Sequence, residues 1–160
     1  QPDIIIFGLG RYGARLMQQL RGAGIEVLGV DFDPETIRAL HKLRQPVRYG
    51  DGEDPSFLES LPLPHARWAI TTFPQWESNR AFLSALEEAG FKGRVAGVVR
   101  DDLHAEALGA AGVERVLNPF NDAADYAARS FAAEIAFEDV HRRDAVAPST
   151  PATPVKEPDQ

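Results

Sequence analysis

The sequence predicts an α/β fold, a doubly wound parallel sheet of six strands with a long C-terminal helix, and three observations lead to it. Short apolar runs alternate with amphipathic helical patterns along most of the 160 residues. The first run leads into a G-x-G-x-x-G turn at residues 8–13. The second run ends at Asp31, about 20 residues after that turn, as in dinucleotide-binding units. Together these features predict the strand order 3-2-1-4-5-6, with a ligand crevice where the order reverses.

The first elements form a βαβ unit. Residues 4–7 are a buried strand, residues 14–20 place apolar side chains on one face of a helix, and residues 26–30 are a second strand. Gly22 and Gly24 end the helix between them. This length suits a parallel pair of strands joined by a helical crossover.

Two Asp-Pro pairs predict the next two helix starts, with a third strand at residues 47–49 between them. Asp33 and Asp54 suit the N-cap position, and the proline that follows each one suits the first helical position. The buried stripe of the first of these helices is predicted to be Ile37, Leu40 and Leu43.

The second half of the sheet follows the same pattern. Strands are predicted at residues 68–72, 94–99 and 114–117, with a helix at 77–89 between the first two. Asp101 or Asp102 caps a further helix, whose inward residues are predicted to be Leu103, Ala107 and Leu108.

The C-terminal region divides into a helix and a tail. A helical pattern from Asp122 to His141 has an apolar side that no following strand covers, so we expect it to pack on the domain and on a partner. Beyond it the sequence is rich in Pro, Thr, Ser and Ala, a composition too poor in large apolar residues to form a core. We therefore expect a nucleotide-binding domain over residues 1–143 and a flexible Pro-rich tail over residues 144–160.

Composition excludes several classes of function. The net charge of −7 and the pI near 5.1 argue against nucleic acid as a partner. The chain has no cysteine, which excludes a disulfide framework and a thiol nucleophile, and its four histidines have no metal-ligand spacing. No apolar run in the given sequence approaches the 18 to 20 residues of a membrane helix, and we do not expect its first residues to be a signal peptide, since strand residues begin at Ile4. Because the chain opens on Gln1 directly before that strand, we expect it to be a piece of a longer protein.

The glycine turn and Asp31 are the primary candidate site. The turn would hold a phosphate on backbone N–H groups at a helix N-terminus, and Arg11 would either neutralise the phosphate or point to solvent. Asp31 would accept the hydroxyls of an adenosine ribose and repel a 2′-phosphate, which favours NAD(H) or AMP, ADP and ATP over NADP. Its alternative is a solvated loop carboxylate. The candidate residues of this group are Gly8, Leu9, Gly10, Arg11, Tyr12, Gly13, Asp31 and Phe32.

Further candidates lie at the carboxyl ends of the later strands. Asp51, beside Gly52, would border the adenine or serve as an ordinary turn residue. Thr71 and Thr72 would donate hydroxyls to a phosphate or reflect strand propensity alone. Arg100 would bind a phosphate or carboxylate, or pair with a neighbouring aspartate. No catalytic or metal-binding constellation is predicted.

The ordered set of these motifs resembles the RCK N-terminal domain family, also called KTN or TrkA-N, whose members regulate K⁺ conductance. The residues that carry the resemblance are Ile4 to Gly13, Val30 to Pro34, Tyr49 to Asp51, Ile70 to Thr72, Asn79, Val99 to Arg100 and Leu117 to Pro119. The resemblance implies a Rossmann domain that pairs into dimers and binds NAD(H), AMP, ADP or ATP on the cytoplasmic side of channels, uptake systems or antiporters.

Carried over by position, the resemblance implies phosphate contacts for Gly8, Gly10, Arg11 and Gly13, a ribose contact for Asp31 and an adenine contact for Asp51. It implies a ligand-facing or interface role for Arg100. Gly52 departs from the family, which usually has Ala or a similar small residue there. The long helix and Pro-rich tail resemble the regulatory domain of Kef-type cation:proton antiporters.

We therefore expect a non-enzymatic, nucleotide-sensing regulatory domain of a K⁺/H⁺ antiporter, a membrane-associated potassium transport protein. It would form a homodimer through the Rossmann domain and residues 122–141, and act on a membrane transport domain at the cytoplasmic face of the inner membrane. The alternatives are the cofactor domain of an NAD-dependent dehydrogenase and a methyltransferase, although residues 121–160 lack the terminal antiparallel strand of the latter. The physiological nucleotide, a second ligand such as glutathione near Arg100, and the transported cation stay open.

Overall fold

The chain forms a six-stranded parallel sheet with the strand order β3-β2-β1-β4-β5-β6, which confirms the predicted topology. The computed structural model describes residues 1–146 and 151–154. The elements in chain order are β1 Ile4–Phe7, α1 Arg11–Gly22, β2 Val27–Asp31, α2 Pro34–Lys42, β3 Val47–Tyr49, α3 Pro55–Glu59, a 3₁₀ turn Leu63–His65, β4 Trp68–Thr71, α4 Trp76–Glu88, β5 Arg94–Val98, α5 Asp102–Ala110, β6 Arg115–Leu117 and α6 Pro119–Ala145.

Helices cover both faces of the sheet, so the side chains of β1 alternate between two cores. Ile5 and Phe7 pack with Leu58 of α3 and Phe82 of α4. On the opposite face, Ile6 packs in a core completed by α1 and α2. Each central strand is therefore apolar on both sides, as expected for a buried parallel sheet.

The caps predicted from sequence form as expected. Asp33 and Asp54 each accept a hydrogen bond from the backbone N–H two residues ahead, and a proline follows at the first helical position. Asp101, the first of the two candidates, caps α5 by accepting the backbone N–H of His104. These side chains satisfy N–H groups that the helix itself leaves without a partner.

Two predicted core positions are wrong. Leu43 is 68% exposed because α2 ends before it and Arg44 follows in the left-handed region, which turns the chain away from the core. Leu103 is 77% exposed because it lies in the first turn of α5, whose buried contact is made by Leu108 with Val99 and Val113.

The C-terminal helix is longer than predicted. It spans 27 residues from Pro119 to Ala145 and so extends two residues into the segment predicted as a tail, most of which lies outside the described residues. No residue of α6 is buried. The chain divides into two compact units, residues 1–122 and 123–160. Within the described part of the chain, no helix is both long enough and apolar enough to cross a membrane.

Candidate functional site

The glycine turn joins β1 to α1 so closely that only glycine fits at two of its positions. Gly8 has a φ of +95°, and a Cβ there would overlap the hydroxyl of Thr72. A Cβ on Gly13 would overlap the carbonyl oxygen of Gly8. The first turn of α1 is therefore packed directly against the end of β1, which fixes the direction in which the helix N-terminus points.

The N-terminus of α1 is open at Gly10. This residue is the N-cap in an extended conformation, has no side-chain cap, and would place a Cβ with no atom within 4 Å. No acidic residue occupies the first turn of α1. Backbone N–H groups at such an end carry a partial positive charge and have no intrahelical acceptor, so an anion can bind them.

Asp31, at the end of β2, is tied directly to the glycine turn. Its Oδ2 accepts the backbone N–H of Leu9 at 2.7 Å, and its Oδ1 accepts the N–H of Asp33 at 2.9 Å. An ionised carboxylate has about four acceptor sites, so each oxygen keeps capacity for a further donor. The side chain of Leu9 is buried, so only the backbone of this residue could contact a ligand at the turn.

The neighbouring loops bring Phe32, Asp51 and Gly52 to the same edge of the sheet. The Phe32 side chain is 65% exposed, and Asp51 is exposed with its Oδ1 accepting the N–H of Glu53 at 2.9 Å. Gly52 is buried, and a Cβ there would lie 3.1 Å from the rings of both Phe7 and Phe73. A side chain at this position would therefore require these two rings to shift by a few tenths of an ångström.

The two threonines after β4 have different surroundings. Thr71 is completely buried, and its hydroxyl donates to Asn79 Oδ1 at 2.7 Å. It therefore does not reach the crevice surface, contrary to its predicted ligand contact. Thr72 does line the crevice, and its hydroxyl donates to the Gly8 carbonyl at 2.9 Å. Asn79 in turn donates to the Phe73 and Gln75 carbonyls, which holds the loop after β4 in place.

A crevice of about 710 Å³ lies beside the glycine turn. It brings together six of the predicted residues: Gly10, Arg11, Tyr12, Gly13, Thr72 and Arg100. Asp31, Phe32, Asp51 and Gly52 are not part of its wall. The residues that sequence reasoning did not assign to the site are Arg15, Phe73, Pro74, Asn79, Val98, Val99, Asp101, His104, Pro119 and Phe120. Several of them directly follow strand ends, and that position was the signal available to find them.

The electrostatics of this crevice are mainly positive. Arg11, Arg15 and Arg100 line it, and Arg100 forms no ion pair with a described residue, contrary to the alternative of pairing with a neighbouring aspartate. Asp101 instead pairs with His104, whose Nδ1 lies 2.7 Å from Asp101 Oδ2.

Two groups at the crevice have shifted pKa values. The N–H of His104 and then its ring stabilise the ionised Asp101 carboxylate, which lowers the pKa of that group. Burial, and secondarily the charge of Asp122, raise the pKa of Tyr12. No group of His, Asp and Glu side chains among the described residues has the arrangement of a metal site.

Comparison with known proteins places this site in context. The sequence model of the TrkA-N domain matches residues 4–119. The glutathione-regulated potassium-efflux system protein KefC of Escherichia fergusonii is 31% identical over 115 residues, which are 72% of this chain and 18% of that protein. The chain thus spans about a fifth of the length of the curated relatives it matches.

Solved structures share the fold. The NAD(P)-binding domain of an exopolyphosphatase-related protein from Archaeoglobus fulgidus has a TM-score of 0.70 at 27% identity, covering 84% of this chain and 98% of that one. The Kef C-terminal domain of Shewanella denitrificans, in an AMP-bound form, has a TM-score of 0.64 at 20% identity, covering 88% and 91%.

Proposed function

The chain belongs to the TrkA-N domain family, and we propose that it is a nucleotide-binding regulatory domain of a potassium transport protein of the Kef type. The observation that carries the proposal is the bond between Asp31 and the N–H of Leu9 beside the open N-terminus of α1. In this proposal, Asp31 would accept the ribose hydroxyls and the adjacent N-terminus of α1 would bind the phosphate.

We infer that the ligand is NAD(H) or an adenine mononucleotide. The ribose hydroxyls would donate to the remaining acceptor sites of Asp31, and the first phosphate would lie on the N-terminus of α1 near Gly10. The exposed ring of Phe32 and the Asp51 loop border the place an adenine would take. The charge of Asp31 would disfavour a 2′-phosphate, so NADP should bind weakly.

The crevice beside the turn distinguishes the two kinds of ligand. The crevice has a volume of about 710 Å³, which is typical of small-molecule sites. Asp31 does not line it. A dinucleotide would extend its second half into this crevice, whereas AMP would reach it only with its phosphate, beside Gly10. Arg11, Arg15 and Arg100 would then contact the second phosphate or an anionic group of the ligand.

The regulatory step would be binding and not turnover. A ligand that binds one of two arrangements more tightly shifts the population toward it, and transport would respond through the part of the protein that this chain does not include. We propose that the arrangements are those of a homodimer formed by the Rossmann domain and α6, at the cytoplasmic face of the inner membrane, coupled to a membrane transport domain.

Calorimetry of the 160-residue chain tests the ligand assignment. In titrations with NADH, NAD, AMP, ADP and ATP we expect binding to be detected. The affinity for NADP, which carries a 2′-phosphate, should be at least tenfold weaker. Equal affinity for NADP, or no heat with any of these nucleotides, would overturn it. The regulatory assignment is tested in the full-length protein, where saturating nucleotide should change K⁺ flux in vesicles.

One observation favours a second candidate, an NAD-dependent dehydrogenase. His104 and Asp101 form a hydrogen-bonded pair in the wall of the crevice, an arrangement that can serve as a general base. A panel of hydroxy acids incubated with the chain and NAD would detect such an activity as a rise in NADH absorbance. Any turnover abolished by His104→Ala would favour this candidate over the regulatory one.

A further inference from the structure

The positive charge of the domain is concentrated in two neighbouring segments. Helix α1 and residues 36–50 together carry seven of the 17 arginines and lysines of the chain and none of its 24 aspartates and glutamates. Helices α1 and α2 pack on the same face of the sheet, where both complete the core around Ile6. A chain of net charge −7 therefore presents a basic surface on this side, and its excess of acidic residues lies in other segments.

Four of these cations lie around the second half of α2 and the end of α1. Arg38 and Lys42 are one turn apart on α2 and line the same shallow surface groove. Arg44 follows α2 and is exposed, and Arg21, in the last turn of α1, donates a hydrogen bond to the side chain of Gln45. We call these two arginines, Arg38 and Lys42 the α2 basic patch.

The α2 basic patch is not neutralised by carboxylates of the described residues. The one ion pair among them joins His104 to Asp101, at the crevice. Glu35 lines the N-terminal end of the groove but forms no ion pair with the cations there. Cations in the last turn of a helix interact favourably with its dipole, which accounts for Lys42 but not for Arg38, one turn further from the helix end.

An apolar side chain lies within this patch. Leu43 is 68% exposed, follows Lys42 directly and lines the same groove. Cations around an exposed leucine suit a partner that is anionic at its surface and apolar beneath it, as a bilayer with anionic lipids is. A nucleic acid would bind the cations and leave the leucine without an apolar partner, so the bilayer fits this surface better.

We infer that the α2 basic patch and Leu43 bind the anionic lipid surface of a membrane. The inference rests on the proposed function, which assigns the domain to a membrane transport protein and so places it near a bilayer. Each lysine or arginine brought to an anionic surface strengthens binding by about fivefold, so four of them hold an otherwise acidic domain there in a salt-dependent way. None of these residues lines the crevice, which therefore stays accessible to nucleotide.

Co-sedimentation of the 160-residue chain with lipid vesicles tests the inference. Vesicles of phosphatidylglycerol and phosphatidylcholine in equal parts should bind the chain, and vesicles of phosphatidylcholine alone should not. Raising the salt from about 50 mM to about 0.5 M should release the chain, because the charges are then screened. Arg38→Gln with Lys42→Gln should weaken binding about 25-fold, and Leu43→Gln, which leaves the charge unchanged, about fivefold.

The matched control is Arg80→Gln with Lys92→Gln. These two exposed cations lie on α4 and in the loop after it, on the opposite face of the sheet, and their loss changes the net charge equally. The control should bind anionic vesicles within about twofold of wild type.

Three results would overturn the inference: no binding to anionic vesicles, equal binding to neutral vesicles, or the same loss in the control as in the α2 variant. Tighter binding of a DNA duplex than of anionic vesicles at about 150 mM salt would assign the patch to nucleic acid instead. Calorimetry with AMP on the same samples tests the proposed function separately, since none of the substituted residues lines the crevice or bonds to Asp31.

Discussion

Replacing Asp31 with Ala should lower both the stability of the domain and its affinity for nucleotide, by amounts that the hydrogen bonds define. The substitution removes the acceptor of the part-buried Leu9 N–H and that of the exposed Asp33 N–H. Water can replace the acceptor at Asp33 but only partly at Leu9, so we expect a loss of about 2 kcal/mol. For a domain of this size the melting temperature should fall by about 4 to 8 °C.

The free energy of AMP binding should change more than the free energy of unfolding does. Two ribose hydroxyls bonded to one carboxylate contribute about 3 kcal/mol together, which corresponds to roughly a hundredfold weaker binding of AMP. Thermal unfolding by circular dichroism and calorimetry at 25 °C measure the two effects on the same sample. Asp54→Ala is the matched control, since it also removes a carboxylate bonded to a backbone N–H but at the start of α3. A folded Asp31→Ala protein with wild-type AMP affinity would refute the ribose assignment.

Three further outcomes follow from the geometry of the site. Gly13→Ala should prevent stable folding because the new Cβ overlaps the Gly8 carbonyl oxygen, which circular dichroism would detect. Gly10→Ala should keep the melting temperature within about 2 °C of wild type, since a Cβ there meets no atom. Calorimetry should show that the same variant binds nucleotide about tenfold more weakly or worse, because the Cβ lies where the phosphate would bind. Thr71→Val should cost about 2 kcal/mol in urea unfolding, since it leaves the buried Asn79 oxygen without its donor. The pKa of Asp101 is lower in the folded protein than the ordinary carboxyl value of about 4, so its ionised form stabilises the fold at pH values above 4. This stabilisation is lost as the pH falls through the lowered pKa. The difference in unfolding free energy between wild type and Asp101→Asn should therefore shrink from pH 6 to pH 3.

The glycine turn and the helix starts could be predicted because local sequence determines them, and the strand order followed from that turn and from the alternation of strands with helices. Gly8 is required by its positive φ and Gly13 by a close backbone contact, and the aspartate of each Asp-Pro pair accepts a backbone N–H at the helix start. Such features depend on a few neighbouring residues, so the pattern in the sequence is sufficient to find them.

The burial of several individual side chains could not be predicted, because it depends on tertiary packing and not on the spacing of apolar residues. Leu43 and Leu103 have the spacing of core residues, yet each lies at a helix end, where the helix no longer faces the sheet. Thr71 follows the rule that strand ends supply site residues, but the alternation of side chains turns it inward to Asn79. Phe120 was not predicted to line the crevice, because α6 begins at Pro119, three residues before the start of its apolar pattern.

Helix α6 is continuous from Pro119 to Ala145, and at the rise of an α-helix its 27 residues extend about 40 Å. Its first turn supplies Pro119 and Phe120 to the crevice wall. A ligand in the crevice would therefore contact the first turn of the same helix whose exposed apolar side chains extend as far as Val140.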